Sequence, residues 1–240
     1  MAVPAWFDYN YYLSSKLLQL KKDDPDHWHA ATVADVAQAF TKSGYIGDQG
    51  AYQHFLDYGA REGADPNPLF NAEEYYTFRA STHFDCAIVD VTPLRRAQAV
   101  TLIKSKNGSA WNDYTQTGAL EFANASNAFD TKKYLTDKLL KNREADPAGW
   151  GTKNEHDMAQ AIHDSGMNPV SHYYLFGNSE GVNPSQVEAG GQVYTHDALA
   201  WDDREKLLHN KLFNLSDWTA IENVNYPKYM DVLLQVTPSC

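Results

Sequence analysis

The sequence predicts a mainly α-helical fold. Tandem units of about sixty residues should pack into one compact or elongated body, with a short strand pair near the C-terminus. Three observations predict it. The segment from Phe7 to Gly44 recurs without a gap 122 residues later, with 16 of 38 positions identical. A weaker copy opens between them, at Phe70. Within each copy the apolar residues follow helical spacing between helix-start and helix-stop residues. A repeat on this scale indicates one helical unit used several times.

The identities include Lys16/Lys138, Leu17/Leu139, Leu18/Leu140, Asp24/Asp146, Pro25/Pro147, Trp28/Trp150 and Gly44/Gly166. The match resumes at an offset of 118, where His54 meets His172, Gly59 meets Gly177, Glu62 meets Glu180 and Gly63 meets Gly181. The slip of four residues falls at 45–50, where a loop deletion is easiest. In the middle copy, Thr92 and Ala97-Gln98-Ala99 echo Thr32 and Ala37-Gln38-Ala39 at an offset of 60. The expected organisation is unit 1 over 1–69, a degenerate unit 2 over 70–128, unit 3 over 129–186 and a C-terminal helical cap over 187–240.

Each unit reads as three helices. Asp8, Asn71 and Asp130 are N-cap residues, and Phe7, Phe70 and Phe129 stand just before them. Tyr12, Tyr75 and Tyr134 then occupy the position at which a hydrophobic staple closes. Tyr9, Tyr12, Leu13, Leu17 and Leu20 fall on one face of the first helix. The second helix starts at Thr32 with Val33, Val36, Ala37 and Phe40 on one face, and Gly44 stops it. Its copies start at Asn154 and at Thr92, where Pro93 takes the first helical position. The third helix is short, with Tyr52, Phe55 and Leu56 on its stripe, and Gly59 is expected to end it. The run from Arg61 to Pro68 is a stiff connector with two prolines, so neighbouring units should pack on each other.

The formal charge of −11 on 240 residues makes a phosphate backbone an unfavourable partner. No apolar run approaches the ~18 residues that span a bilayer. Met1 to Asp8 lacks a basic stretch followed by an apolar core, so no cleavable N-terminal secretory signal is expected. Export by another route, or residence in the cytosol, is compatible with that. Cys86 and Cys240 allow one disulfide and form no metal-type spacing.

The pattern Phe-Asp-x-x-x-Tyr-Leu, then His-Phe-x-x-Tyr-Gly-x-x-Glu-Gly-x-x-Pro-Asn-Pro-x-Phe, is carried by Phe7, Asp8, Tyr12, Leu13, His54, Gly59, Glu62, Gly63, Pro66 and Phe70. Phe129, Asp130, Tyr134, Leu135, His172, Gly177, Glu180, Gly181 and Pro184 carry it again. It resembles repeat units of large secreted and cell-surface bacterial proteins, many of which carry calcium-binding nonapeptides and leave by type I secretion. Similar units flank some bacterial glycosyltransferases. The resemblance implies an extracellular or cell-surface location and leaves room for calcium; the residues themselves call for no other cofactor. This chain has neither Gly-Gly-x-Gly-x-Asp nonapeptides nor a glycosyltransferase domain, and Met230 to Leu234 faintly resembles an uncleaved C-terminal secretion signal.

Candidate sites carry two readings each. His27-Trp28-His29 with Asp23, Asp24 and Asp26 has metal-ligand types, but only Asp24, Pro25 and Trp28 persist in the third copy, which favours a polar turn anchored by Trp28. His54 and His172 read as ligands or as structural hydrogen-bonding residues. Glu62 and Glu180 are expected to accept backbone N–H groups. No catalytic residue is identified: there is no Gly-x-Ser-x-Gly, phosphate loop or His-Glu-x-x-His. Tyr9, Tyr11, Trp111, Tyr114, Trp201 and Trp218 are candidates for an exposed aromatic surface that stacks on glycan or meets a partner; the other reading places them in contacts between units. The expected function is a non-enzymatic bacterial structural protein that assembles with itself or docks to an envelope layer. A carbohydrate-binding module for an envelope glycan or exopolysaccharide, and an accessory domain of a larger secreted enzyme or adhesin, are the alternatives.

Overall fold

The computed structural model describes residues 2–184. The expected C-terminal cap at 187–240, the strand pair, Trp201, Trp218, Cys240 and the 230–234 tail lie outside the described residues. The described part is mainly α-helical, with one isolated bridge between Ser126 and Phe129 and no strand among these residues. None of its helices is long and apolar enough to cross a membrane.

The first segment comprises α1 (Tyr9–Asp23), α2 (Pro25–Trp28), α3 (Val33–Lys42) and α4 (Gly47–His54), a π-helical turn (Phe55–Gly59), and α5 (Ala60–Glu62). The middle segment has α6 (Ala72–Phe84), a 3-10 turn (Ile88–Asp90), α7 (Pro93–Asn107), α8 (Ala110–Asp113) and a π turn (Tyr114–Gly118). In the third are α9 (Thr131–Ala145), α10 (Pro147–Trp150), α11 (Glu155–Asp164), α12 (Pro169–His172) and a π turn (Tyr173–Gly177).

Each long opening helix starts with the same device. The Asp8 carboxylate accepts the Tyr11 N–H at 3.0 Å, Asn71 accepts that of Glu74 at 2.8 Å and Asp130 that of Lys133 at 2.8 Å. Each bond satisfies a backbone donor that the helix itself leaves open. The staple rings meet at 5.2 Å for Phe7 and Tyr12, 5.7 Å for Phe70 and Tyr75, and 5.2 Å for Phe129 and Tyr134. All six rings are buried.

The connectors are fastened in two directions. Backward, the Asp8, Asn71 and Asp130 N–H groups donate to the carbonyls of Pro66, Ala125 and Pro184 at 3.0, 3.2 and 2.8 Å. These bonds close each opening cap on the segment's own end. Forward, Asp65 accepts the Ala72 N–H at 2.7 Å and Asn124 accepts that of Thr131 at 3.0 Å, so each connector also caps the next opening helix. The Trp111 ring joins two segments: it lies 4.6 Å from Trp6 and 5.0 Å from Phe70.

Three expectations about local structure are corrected. Gly59 and Gly177 do not end their helices. The chain passes through them, and the stops are Gly63 at φ +84° and Gly181 at φ +70°. The four residues gained at 45–50 do not lengthen a loop; they belong to the longer α4, eight residues against four in α12. The register of α7 also differs from the offset of 60. Its buried Ala99 and Ile103 stand 63 residues beyond the buried Val36 and Phe40, and 59 before the buried Met158 and Ile162. Burial rather than the Ala-Gln-Ala letters decides which side of a helix faces the core.

Candidate functional site

The recurring polar cluster is built around a tyrosine. Tyr12, on the buried face of α1, lies against the π turn, and its hydroxyl is 2.7 Å from His54 Nδ1. Burial, with the nearby Lys16 ammonium, holds His54 below the ordinary histidine value. The neutral ring accepts at Nδ1 and the phenol donates. In the third segment the Tyr134 hydroxyl is 2.6 Å from His172 Nδ1, and burial together with Lys138 pushes His172 down to about 4. Burial in turn raises Tyr12 and Tyr134 well above the ordinary phenol value. These histidines are occupied inside the fold, as the structural reading of His54 and His172 supposes.

The glycines that follow have a packing reason. A Cβ at Gly59 would stand 2.1 Å from the Tyr12 hydroxyl oxygen, one at Gly118 1.9 Å from that of Tyr75, and one at Gly177 2.4 Å from that of Tyr134. The hydroxyl thus occupies the volume a side chain would need.

Glu62 and Glu180 take lysine partners instead of the expected backbone N–H groups. Lys16 Nζ donates to Glu62 at 2.7 Å and Lys138 Nζ donates to Glu180 at 2.7 Å. Both lysine stems are buried beneath exposed or half-exposed carboxylates. A buried stem whose charged tip reaches a partner at the surface seals the edge of the cluster.

The middle segment solves the same position differently. Asp113 stands 59 residues beyond His54 and 59 before His172, and Arg79 takes the register of Lys16. The Tyr75 hydroxyl donates to Asp113 Oδ2 at 2.5 Å, Arg79 Nε donates to the same oxygen at 3.0 Å and Arg79 Nη1 to Glu121 at 2.6 Å. Asn107 Nδ2 donates to Asp113 Oδ1 at 2.6 Å. A neutral imidazole needs no cation, whereas a buried carboxylate does, and the longer, forked arginine reaches both acids. The sequence reading missed Arg79, Asp113 and Glu121 because the His-x-x-x-Tyr-Gly letters are lost there; counting 59 from His54 and Glu62 finds Asp113 and Glu121, and counting 63 from Lys16 finds Arg79.

The aromatic surface is corrected in its described members. Trp111, Tyr114 and Tyr11 are buried, and Tyr9 is half-buried. Trp111 fills the seam between segments, and the Tyr114 hydroxyl shares a hydrogen with Thr131 Oγ1 at 3.0 Å. Neither ring can stack on a glycan without opening the core. Around His27 the structure shows a capped turn: Asp24 accepts the His27 N–H at 3.3 Å, and Trp28 packs partly buried against the core. Among the described residues no group of three or more His, Cys, Asp or Glu converges on a metal position. Compared with known family models, curated proteins and solved structures, the chain matches none.

Proposed function

We propose that this chain is a non-enzymatic structural protein of tandem helical units, about sixty residues each, that acts outside the cell or at its surface and associates with further copies of itself. One observation carries the reading. Large apolar side chains face solvent at matching registers of the first and third segments: Leu18 at 41% and Leu140 at 49% exposure, Tyr58 at 52% and Phe176 at 46%. The buried tyrosine, histidine and lysine groups of the recurring cluster are paired internally, while these apolar groups stay outside. A chain carrying one apolar contact twice can bind two copies, and such bivalence builds chains or layers.

Two further features support the unit reading. The cap, staple, tyrosine–glycine contact and connector closure recur at offsets of 63 and 59. The recurring polar groups are engaged with each other, which suits architecture. The experiment is sedimentation of the full chain and of a Leu18→Asp, Leu140→Asp variant. Association in the parent that the variant lacks supports the proposal. Equal association in both, at unchanged helicity, removes these side chains from it.

A further inference from the structure

The middle segment differs from its neighbours in what fills the space beside the buried tyrosine. In the first segment that space is taken by rings: Phe40 stacks on His54 at 4.1 Å, and Tyr58 lies 5.5 Å from the same histidine. In the third, Phe176 covers His172 at 5.2 Å. The middle registers hold Ile103, Asp113 and Thr117. Each ring of the first segment is thus replaced by a smaller group, and a cavity of about 330 Å³ lies where they would be.

The cavity has two kinds of wall. Ala99, Leu102 and Ile103 from α7 form an apolar side. Arg79, Asn107, Asp113 and Glu121 form the polar side, with Thr117, Lys106 and His83 also lining it. Arg79 and Asp113 are buried and fixed by each other. Arg79 uses Nε and Nη1 on the two carboxylates, which leaves Nη2 without a protein partner among the described residues. The fixed Arg79 and the exposed Lys106 face two carboxylates, Asp113 and Glu121, so neither a free anion nor a free cation is favoured. With Asp113 Oδ1 and Oδ2, Arg79 Nε and Nη1 and Glu121 Oε2 already paired, Arg79 Nη2, the Asn107 carbonyl and Glu121 Oε1 are the groups left to bond sugar hydroxyls. The apolar wall suits the C–H face of a ring. The volume falls at the small end of ligand pockets, roughly 300–1,000 Å³.

We infer that this cavity is a binding site for one neutral pyranose, a single sugar residue held by its hydroxyls against the α7 wall. The lining by Ile103, Asp113 and Thr117 belongs to the middle segment alone among the three, and the site does not depend on self-association.

The test is saturation-transfer NMR and calorimetry on the full chain. The probes are methyl glucoside, methyl galactoside, methyl mannoside and N-acetylglucosamine at millimolar concentration, with inorganic phosphate and glycine as charged controls. Binding of at least one sugar is expected. Thr117→Tyr restores the ring that the first segment carries at this register and should weaken binding at least tenfold. Glu121→Gln keeps the shape, removes one charge-assisted acceptor and should weaken binding severalfold; it carries the test if the tyrosine variant fails to fold. The inference is overturned if no sugar binds, if only phosphate or glycine binds, or if a folded Thr117→Tyr variant binds as well as the parent.

Discussion

Gly59→Ala separates two physical accounts of the same residue by sign. Gly59 has helical backbone angles, φ −55° and ψ −42°. Helix propensity alone predicts that alanine stabilises such a position by about 1 kcal/mol. The structure predicts the reverse. The new Cβ would stand 2.1 Å from the Tyr12 hydroxyl oxygen and 2.9 Å from the ring carbon bearing it, so the ring must move by more than 1 Å. Tyr12 is fully buried against Phe7, Phe40 and Phe55 and has nowhere to go. Overpacking of this kind costs roughly 1–3 kcal/mol. Displacing the hydroxyl from His54 adds about 1 kcal/mol. Set against the propensity gain, the net expected loss is about 1–3 kcal/mol. Urea unfolding followed by circular dichroism measures it. Tyr12→Phe removes the nearest clashing atom, so the double variant should be more stable than the sum of the single losses by about 1 kcal/mol. A raised unfolding midpoint for Gly59→Ala, or strict additivity with Tyr12→Phe, would refute the packing account.

Three further outcomes follow from the cluster and the connector. Asp113→His alone should cost about 3 kcal/mol because it leaves Arg79 short of its buried partner, and adding Arg79→Lys should recover half or more; equal stability of the single and double variants in thermal melts would contradict the compensation. His172 is held near 4 inside the fold against an ordinary value of 6.5, so its stabilisation is complete above about pH 6.5 and is lost as pH falls towards 4. With its partial exposure discounted, the loss is on the order of 1–2 kcal/mol, and His172→Asn should flatten urea midpoints between pH 7 and 4.5; an unchanged slope would sink the assignment. Asp65 works in the opposite sense: burial pushes it up to about 8, the Ala72 N–H pulls it down, and Glu73 and Glu74 add to the rise. Its contribution is complete below about pH 4 and is lost as pH rises from there to about 8, so urea midpoints of Asp65→Asn should lack a decline that the parent shows over that window; the same decline in both would contradict it.

How much of this was legible in the sequence depended on range. The caps at Asp8, Asn71 and Asp130 and the Phe–Tyr staples are set by residues within one or two turns, and letters alone located them. The stop at Gly44 was equally local. Gly59 was misread because a helix-ending glycine and a glycine that makes room for a tyrosine carry the same letter; a residue 47 positions away decides between them. Trp111 and Tyr114 carry two readings in the sequence, surface or seam, because an aromatic-rich composition does not say which rings fill the seams. The extra residues before His54 looked like a loop for their glycines, yet α4 absorbs them as helix. Arg79 and Asp113 escaped notice because a compensated pair erases a motif while keeping its geometry.

The most direct test of the structural-protein reading is the light-scattering mass of the full chain across protein concentration, first with calcium and then with chelator. The account predicts a mass that climbs with concentration, as copies join through the Leu18 and Leu140 faces. A mass fixed at the 27.0 kDa monomer in both conditions would contradict it and leave the sugar cavity of the middle segment as the remaining functional reading.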